Sequence, residues 1–215
     1  AASRSHLWRT EDGGQNWTRV QTGVATDVVF RPDNPDVVFV GIGNDNGAVA
    51  NGVYRSVENG QQYKWAKVAT NFPASDSVGR IKLAVTPANP NLLLAFVMRA
   101  RKYQSGQSDF LAVMRTTNNG DTWERLPSNL PSDFTSGQGF YNLCAAISPT
   151  NADTIHAGGY EVWRSGNGGT SWMRVTRYNE PVHVDQHVLK YSPDNRWLYL
   201  GNDGGVYRTE NKGSS

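Results

Sequence analysis

The stretch "VMRTTNNGDTW", Val113–Trp123, is written five times along the chain with small changes. The other copies are "LWRTEDGGQNW" from Leu7, "VYRSVENGQQYKW" from Val53, "VWRSGNGGTSW" from Val162 and "VYRTENKGSS" from Val206. The shared pattern is an apolar residue, a bulky one, Arg, Ser or Thr, any residue, an acid or amide, any residue, Gly, two more, then Trp. The copy at Val53 has two extra residues before Trp65. Between Thr10, Ser56, Thr116, Ser165 and Thr209 the intervals are 46, 60, 49 and 44 residues. A period of that size marks a supersecondary unit that cannot bury its apolar face alone and must stack on its neighbours.

A second element is interleaved with the first. It reads "VVFRPDNPDVVFVG" from Val28, "LAVTPANPNLLLAFV" from Leu83, "AAISPTNADTIHAGG" from Ala145 and "LKYSPDNRWLYLGN" from Leu189. Each is an apolar run, a Pro-x-Asn turn and a second apolar run. Proline presets φ and asparagine tolerates tight turns, so each predicts a hairpin. The two elements together give four strands per repeat: A, a short turn, B, a loop, C, the Gly turn, D. No window carries the i, i+3, i+4, i+7 spacing of an amphipathic helix. Four-stranded antiparallel units at this period predict an all-β chain, a β-propeller.

The first element resembles the Asp-box, or BNR repeat, of sialidases, sortilin-type receptors, xyloglucanase-type glycoside hydrolases and photosystem assembly factors. Three copies match the pattern in full: Thr10–Trp17, Thr116–Trp123 and Ser165–Trp172. The resemblance implies that Asp12, Asn118 and Asn167 cap their own turns through backbone N–H groups, with Glu58 in the irregular copy. It also implies that Trp17, Trp123 and Trp172 pack between blades. Repetition at one position makes these residues scaffold.

The repeat divides the chain into residues 1–22 (strands C and D of a first blade), blades at 23–71, 72–130 and 131–177, and residues 178–215 (strands A to C of a last blade). This partition predicts part of a larger ring, with further blades in a longer parent chain or a second chain, because a propeller closes to remove its sheet edges. In a meander the A–B and C–D turns share one rim and the B–C and D–A loops the other. The long segments are Gly43–Gly52, Arg99–Phe110, Pro127–Gly139 and Thr176–Val182. All fall on the second rim, and loops beyond the structural minimum carry function.

Several candidate residues fall on that rim. His183, Asp185 and His187 alternate at the start of a strand A, which would place them on one face. Two imidazoles and a carboxylate are a possible ligand set for a divalent metal, or else a hydrogen-bonded network. The turn Asn202-Asp203-Gly204-Gly205 follows in the same blade. Xyloglucanase-type enzymes carry a catalytic Asp in a similar Asp-x-Gly-Gly-aromatic strand entry. Here the aligned position is Asn202, with Asp203 shifted by one. Glycoside hydrolysis needs two carboxylates, for which Asp185 and Asp203 are the candidates. Tyr103, Phe134 and Tyr178 are expected as exposed aromatic platforms, with Asn202 and Arg80 as polar ligand contacts. Sialidase chemistry needs an arginine triad. The arginines here recur at one repeat position, and only Arg80 starts a strand on the rim.

Composition narrows the class. The chain of 215 residues has a net charge of +2, with 21 basic and 19 acidic residues mixed throughout, not the footprint of a nucleic-acid binder. No run approaches the ~18–20 apolar residues of a membrane span. The single Cys144 excludes an internal disulfide, lies in an apolar run and is expected to be buried. The expectation is a secreted or envelope propeller that binds a glycan or protein ligand. The alternatives are a xyloglucanase-like hydrolase and a structural scaffold or assembly factor.

Overall fold

The structure is a computed structural model that describes residues 1–103 and 109–213, with the side chain of Tyr103 outside the description. It is built of antiparallel sheets, with 3-10 turns at Ser75–Ser77 and Arg101–Tyr103. The first sheet pairs β1 (His6–Arg9) with β2 (Thr18–Thr22). Three four-stranded meanders follow. They are β3 (Ala25–Arg31), β4 (Asn34–Ile42), β5 (Gly52–Ser56) and β6 (Ala66–Lys67); β7 (Val78–Val85), β8 (Leu93–Arg99), β9 (Phe110–Thr116) and β10 (Glu124–Arg125); and β11 (Cys144–Ile147), β12 (Ile155–Gly158), β13 (Val162–Ser165) and β14 (Met173–Arg174). The last sheet holds β15 (Gln186–Tyr191), β16 (Leu198–Asn202) and β17 (Gly205–Thr209). The innermost strands meet in the order β3, β7, β11, β15. This is a four-bladed β-propeller arrangement, with β1–β2 packed beside the first four-stranded blade. Among the described residues no helix is long and apolar enough to cross a membrane.

Strand alternation builds the core. A blade has neighbours on both faces, so its middle strand is apolar throughout rather than on alternate residues. Strand β8 is buried from Leu93 to Met98. Leu93, Ala95 and Val97 enter the layer shared with the β3–β6 sheet, while Leu94, Phe96 and Met98 enter the layer shared with the β11–β14 sheet. Strand β11 divides in the same way, Ala145 and Ile147 to one side and Cys144 and Ala146 to the other. The core is therefore a series of apolar slabs between blades. Each large side chain fully buried in them contributes about 1.5–3 kcal/mol. Cys144 lies in one slab, and burial pushes its thiol up to about 12.

The Gly turns close the C–D ends by one hydrogen bond repeated five times. The Ser or Thr hydroxyl accepts from the Gly N–H four residues on: Thr10 from Gly14 at 2.9 Å, Ser56 from Gly60 at 3.1 Å, Thr116 from Gly120 at 3.0 Å, Ser165 from Gly169 at 2.9 Å and Thr209 from Gly213 at 3.3 Å. These glycines have φ between 66° and 97°, the left-handed region glycine enters without penalty. The Oδ1 atoms of Asp12, Asn118 and Asn167 accept the backbone N–H groups of Asn16, Thr122 and Ser171 at 2.9, 3.1 and 2.9 Å. The Asn16 bonds hold the Asp12 carboxyl down at about 2. Glu58 differs: in its lengthened turn it pairs with Lys64 at 3.1 Å.

The tryptophans of these turns key each blade into the preceding one. Trp123 is 2% exposed, donates to Val68 O at 2.9 Å and meets Phe72 edge-on. Trp172 meets Phe96 edge-on in the slab behind it. Trp65 joins Leu7 and Val20 of the two-stranded sheet. Trp17 has no blade behind it among the described residues and is 47% exposed.

Candidate functional site

The rim opposite the Gly turns is laced together by its long loops. The Asp45 and Ser77 carbonyls accept from the N–H groups of Arg101 and Ala100, at 2.6 and 2.8 Å. Asp109 is buried and accepts from Thr135 Oγ1 at 2.8 Å and from Gly139 N at 2.7 Å, which ties the loop before β11 to the loop before β9. The carbonyl of Phe134 accepts from Tyr160 N at 2.9 Å, and that of Tyr160 from Asp185 N at 3.0 Å.

A polar cluster forms where the loop before β11 meets the last sheet. Asp203 accepts from Tyr141 Oη at 3.0 Å to each oxygen and contacts His187 Nε2 at 2.6 Å. The Tyr141 and His187 rings pack edge to face, centroids 4.7 Å apart. The hydrogen bond from His187, then that from Tyr141, holds the Asp203 carboxyl below its ordinary value. The same bond pushes the Tyr141 phenol up. The next residue, Asn142, is fully buried and donates through Nδ2 to Asp185 at 2.7 Å. The two rim carboxylates are thus anchored on consecutive residues of one loop. Beside them Tyr178, 66% exposed, stacks on Tyr160 with centroids 6.2 Å apart and planes 20° from parallel. Glu161 fixes this pair by accepting from Tyr178 N at 3.0 Å and from Arg174 at 3.2 Å.

The backbone of the last sheet sets these positions. Asn202 donates to His183 O at 2.8 Å and to Gln186 Oε1 at 3.2 Å, and accepts from Gly204 N at 3.0 Å. Its amide is therefore spent on the turn. A Cβ on Gly204 would come within 2.4 Å of His183 Cβ, so the close approach of the turn to His183 requires glycine.

Several sequence expectations need correction here. The alternation of His183, Asp185 and His187 fails because β15 starts only at Gln186 and Asp185 has φ 64°. The three side chains go to different partners: His183 Nδ1 to Val184 O at 2.9 Å, Asp185 to Asn142 and His187 to Asp203. They form no ligand set, and no group of three His, Cys, Asp or Glu side chains suited to a metal ion is gathered among the described residues. Phe134 is not a platform. It is 3% exposed and packs edge-on against Phe110, centroids 5.0 Å apart. Arg80 donates to the carbonyls of Gly139, Phe140, Tyr141 and Leu143 at 2.8–3.4 Å, so it props the loop that carries Tyr141. Burial pulls its guanidinium below the ordinary value. The Tyr103 side chain lies outside the described residues. Sequence reading missed Tyr141, Asn142, Tyr160 and Glu161. The one available signal was the adjacent aromatic pair Phe140-Tyr141 ahead of an apolar strand.

An ionised carboxylate between a phenol and an imidazole is an acceptor for hydroxyl groups. At neutral pH it can serve as a base or nucleophile, but a lowered value unfits it as a general acid.

No protein-family model matches the sequence, and no curated protein matches it. Solved structures do. An ancestral GH74 enzyme superposes with a TM-score of 0.63 at 21% identity, over 93% of this chain and 25% of that one. The GH74 xyloglucanase from Xanthomonas campestris gives 0.58 at 20%, over 98% and 31%. The α-L-arabinanase of Penicillium chrysogenum, solved with arabinobiose, gives 0.59 at 15%, over 97% and 68%. The chain thus spans a quarter to a third of these two GH74 structures. At these identities the likeness establishes the fold alone, a β-propeller.

Proposed function

We propose that the long-loop rim binds a glycan. The observation that carries this reading is the exposed set of Tyr141, His187 and Asp203 beside the stacked Tyr160 and Tyr178. Aromatic faces take the C–H faces of sugars, and a fixed carboxylate takes their hydroxyls. The likeness to a xyloglucanase and to an arabinanase solved with arabinobiose supports it. The test is calorimetric titration with oligosaccharides of xyloglucan, arabinan and a wider neutral panel. Tyr141→Ala and Tyr178→Ala should each weaken the binding about tenfold, with an unchanged melting temperature. A rim that binds no saccharide would refute the reading, leaving a protein ligand or a scaffold role.

A second reading, hydrolysis, is favoured by the anchoring of Asp185 and Asp203 on the adjacent residues Asn142 and Tyr141. It predicts release of reducing ends from a bound polysaccharide, abolished by both Asp203→Asn and Asp185→Asn. Binding without turnover would reject it. The reading also includes a secreted or envelope location and further strands from the parent chain or a second chain. An apolar cleft of about 250 Å³ between the last two sheets, with Val162, Val175, Leu189 and Leu200 in its walls, supports those strands.

A further inference from the structure

The rim has a concavity at Phe140. A cleft of about 700 Å³ is lined by Arg4, Arg80 and Arg101, by Asn44 and Asn46, and by Phe140. It also contains Asp45, so three guanidinium groups face one carboxylate. Seven other arginines (Arg9, Arg31, Arg55, Arg115, Arg174, Arg177 and Arg196) pair with an acid, but none of these three does so among the described residues. Arg80 points its guanidinium at backbone carbonyls, and Asp27 and Asp45 act on it only at longer range, without a direct ion pair. Arg101 lies over the Phe140 ring, 4.4 Å from its centroid, so it is held in place on an apolar face without being neutralised. Phe140 is 51% exposed and directly precedes Tyr141 of the polar cluster, so the cleft and the cluster share one loop.

The charge changes sign along this path. Past Tyr141 stand Asp203 and Asp185, neither paired with an Arg or Lys among the described residues; before it stand the arginines. From this polarity we infer that the glycan of the proposed function is acidic, with a carboxylate or sulfate group in the arginine-lined cleft and a neutral part over the tyrosines. Guanidinium groups favour such planar or tetrahedral oxyanions by fork-shaped, charge-assisted hydrogen bonds. The acidic end of the rim repels the same group and so fixes the direction in which the chain lies.

This inference rests on the glycan reading, and one set of titrations separates the two. The probes are a uronate oligosaccharide, a sulfated oligosaccharide and a neutral one of equal length, each at low and high salt. At least one acidic probe should bind about tenfold tighter than the neutral one, and salt should erase most of the difference. Whichever acidic probe binds tighter identifies the anion. Arg101→Gln and Arg4→Gln should remove the preference and leave neutral binding intact. Arg80 is not a useful variant because it props the loop. Neutral binding with no acidic preference, or a preference that survives both substitutions, overturns the inference alone. Absence of binding by every probe overturns both.

Discussion

The two rims of the propeller are built on opposite principles. On the Gly-turn rim the same bond from a Gly N–H to Ser or Thr recurs in every copy, and it spans four residues each time. On the long-loop rim the bonds join residues far apart in sequence, such as Tyr141 to Asp203, separated by 62 positions. The first rim repeats one short-range bond; the second is assembled once and has no repeat. Repetition marks what any blade needs in order to stack, and its breakdown marks what this propeller alone needs.

The largest expected effect lies on the repetitive side. Trp123→Ala removes a buried indole from an inter-blade slab and should cost about 3–5 kcal/mol, with a melting temperature roughly 10 °C lower. Trp17→Ala, at the same repeat position but half exposed, should change stability by no more than ~0.5 kcal/mol. Equal effects would break the claim that these tryptophans act by keying one blade into another.

Next comes the buried His156, whose ring contacts Lys212 O at 2.9 Å and Tyr191 Oη at 3.2 Å. Burial pushes its value down to about 4. Because the folded state prefers the neutral ring, its contribution is fully present above the unfolded value of ~6.5 and is lost as pH falls towards the folded one. Stability should drop by about 3 kcal/mol between neutral pH and pH ~4 from this group alone. A His156→Gln melt series should lack that part of the pH dependence.

On the irregular side, Asp109→Ala leaves Thr135 Oγ1 and Gly139 N without their acceptor. It should cost about 2 kcal/mol and weaken ligand binding, since the same loop carries Tyr141. The smallest effect on stability belongs to Asp203. Its depressed value means that its contribution is present above ~3.9 and is lost as pH falls through the lower folded value. An NMR titration should place its midpoint below the ordinary carboxylate range. In His187→Gln the midpoint should rise, because the first cause of the shift is gone. Asp203→Asn should leave the melting temperature in place and reduce glycan binding. A large loss of stability would move Asp203 from the site to the scaffold.

The same contrast explains what could be read from the chain. Strand order, turn position and the split between rims follow from period and punctuation, which are local properties. Phe134 was misread because loop membership was taken as exposure, whereas the loop folds back and buries the ring against Phe110. Arg80 was misread because a charged residue at a strand start gives no hint of four carbonyls from a loop some sixty positions away. The His183–His187 alternation failed at one left-handed residue, Asp185. The polar cluster itself was illegible because Tyr141 and Asn142 acquire meaning only from the partners that the stacking of sheets delivers.

The tryptophan keys also give the stack a polarity. Trp65, Trp123 and Trp172 each reach back into the sheet before their own, as overlapping tiles are laid in one direction. Damage should therefore travel unequally. Melting a sheet withdraws its key from the blade behind it, while the blade ahead loses only its socket. Amide exchange in a chain with one weakened blade should then spread further towards one terminus than the other, a vectorial unzipping in an architecture whose blades look alike.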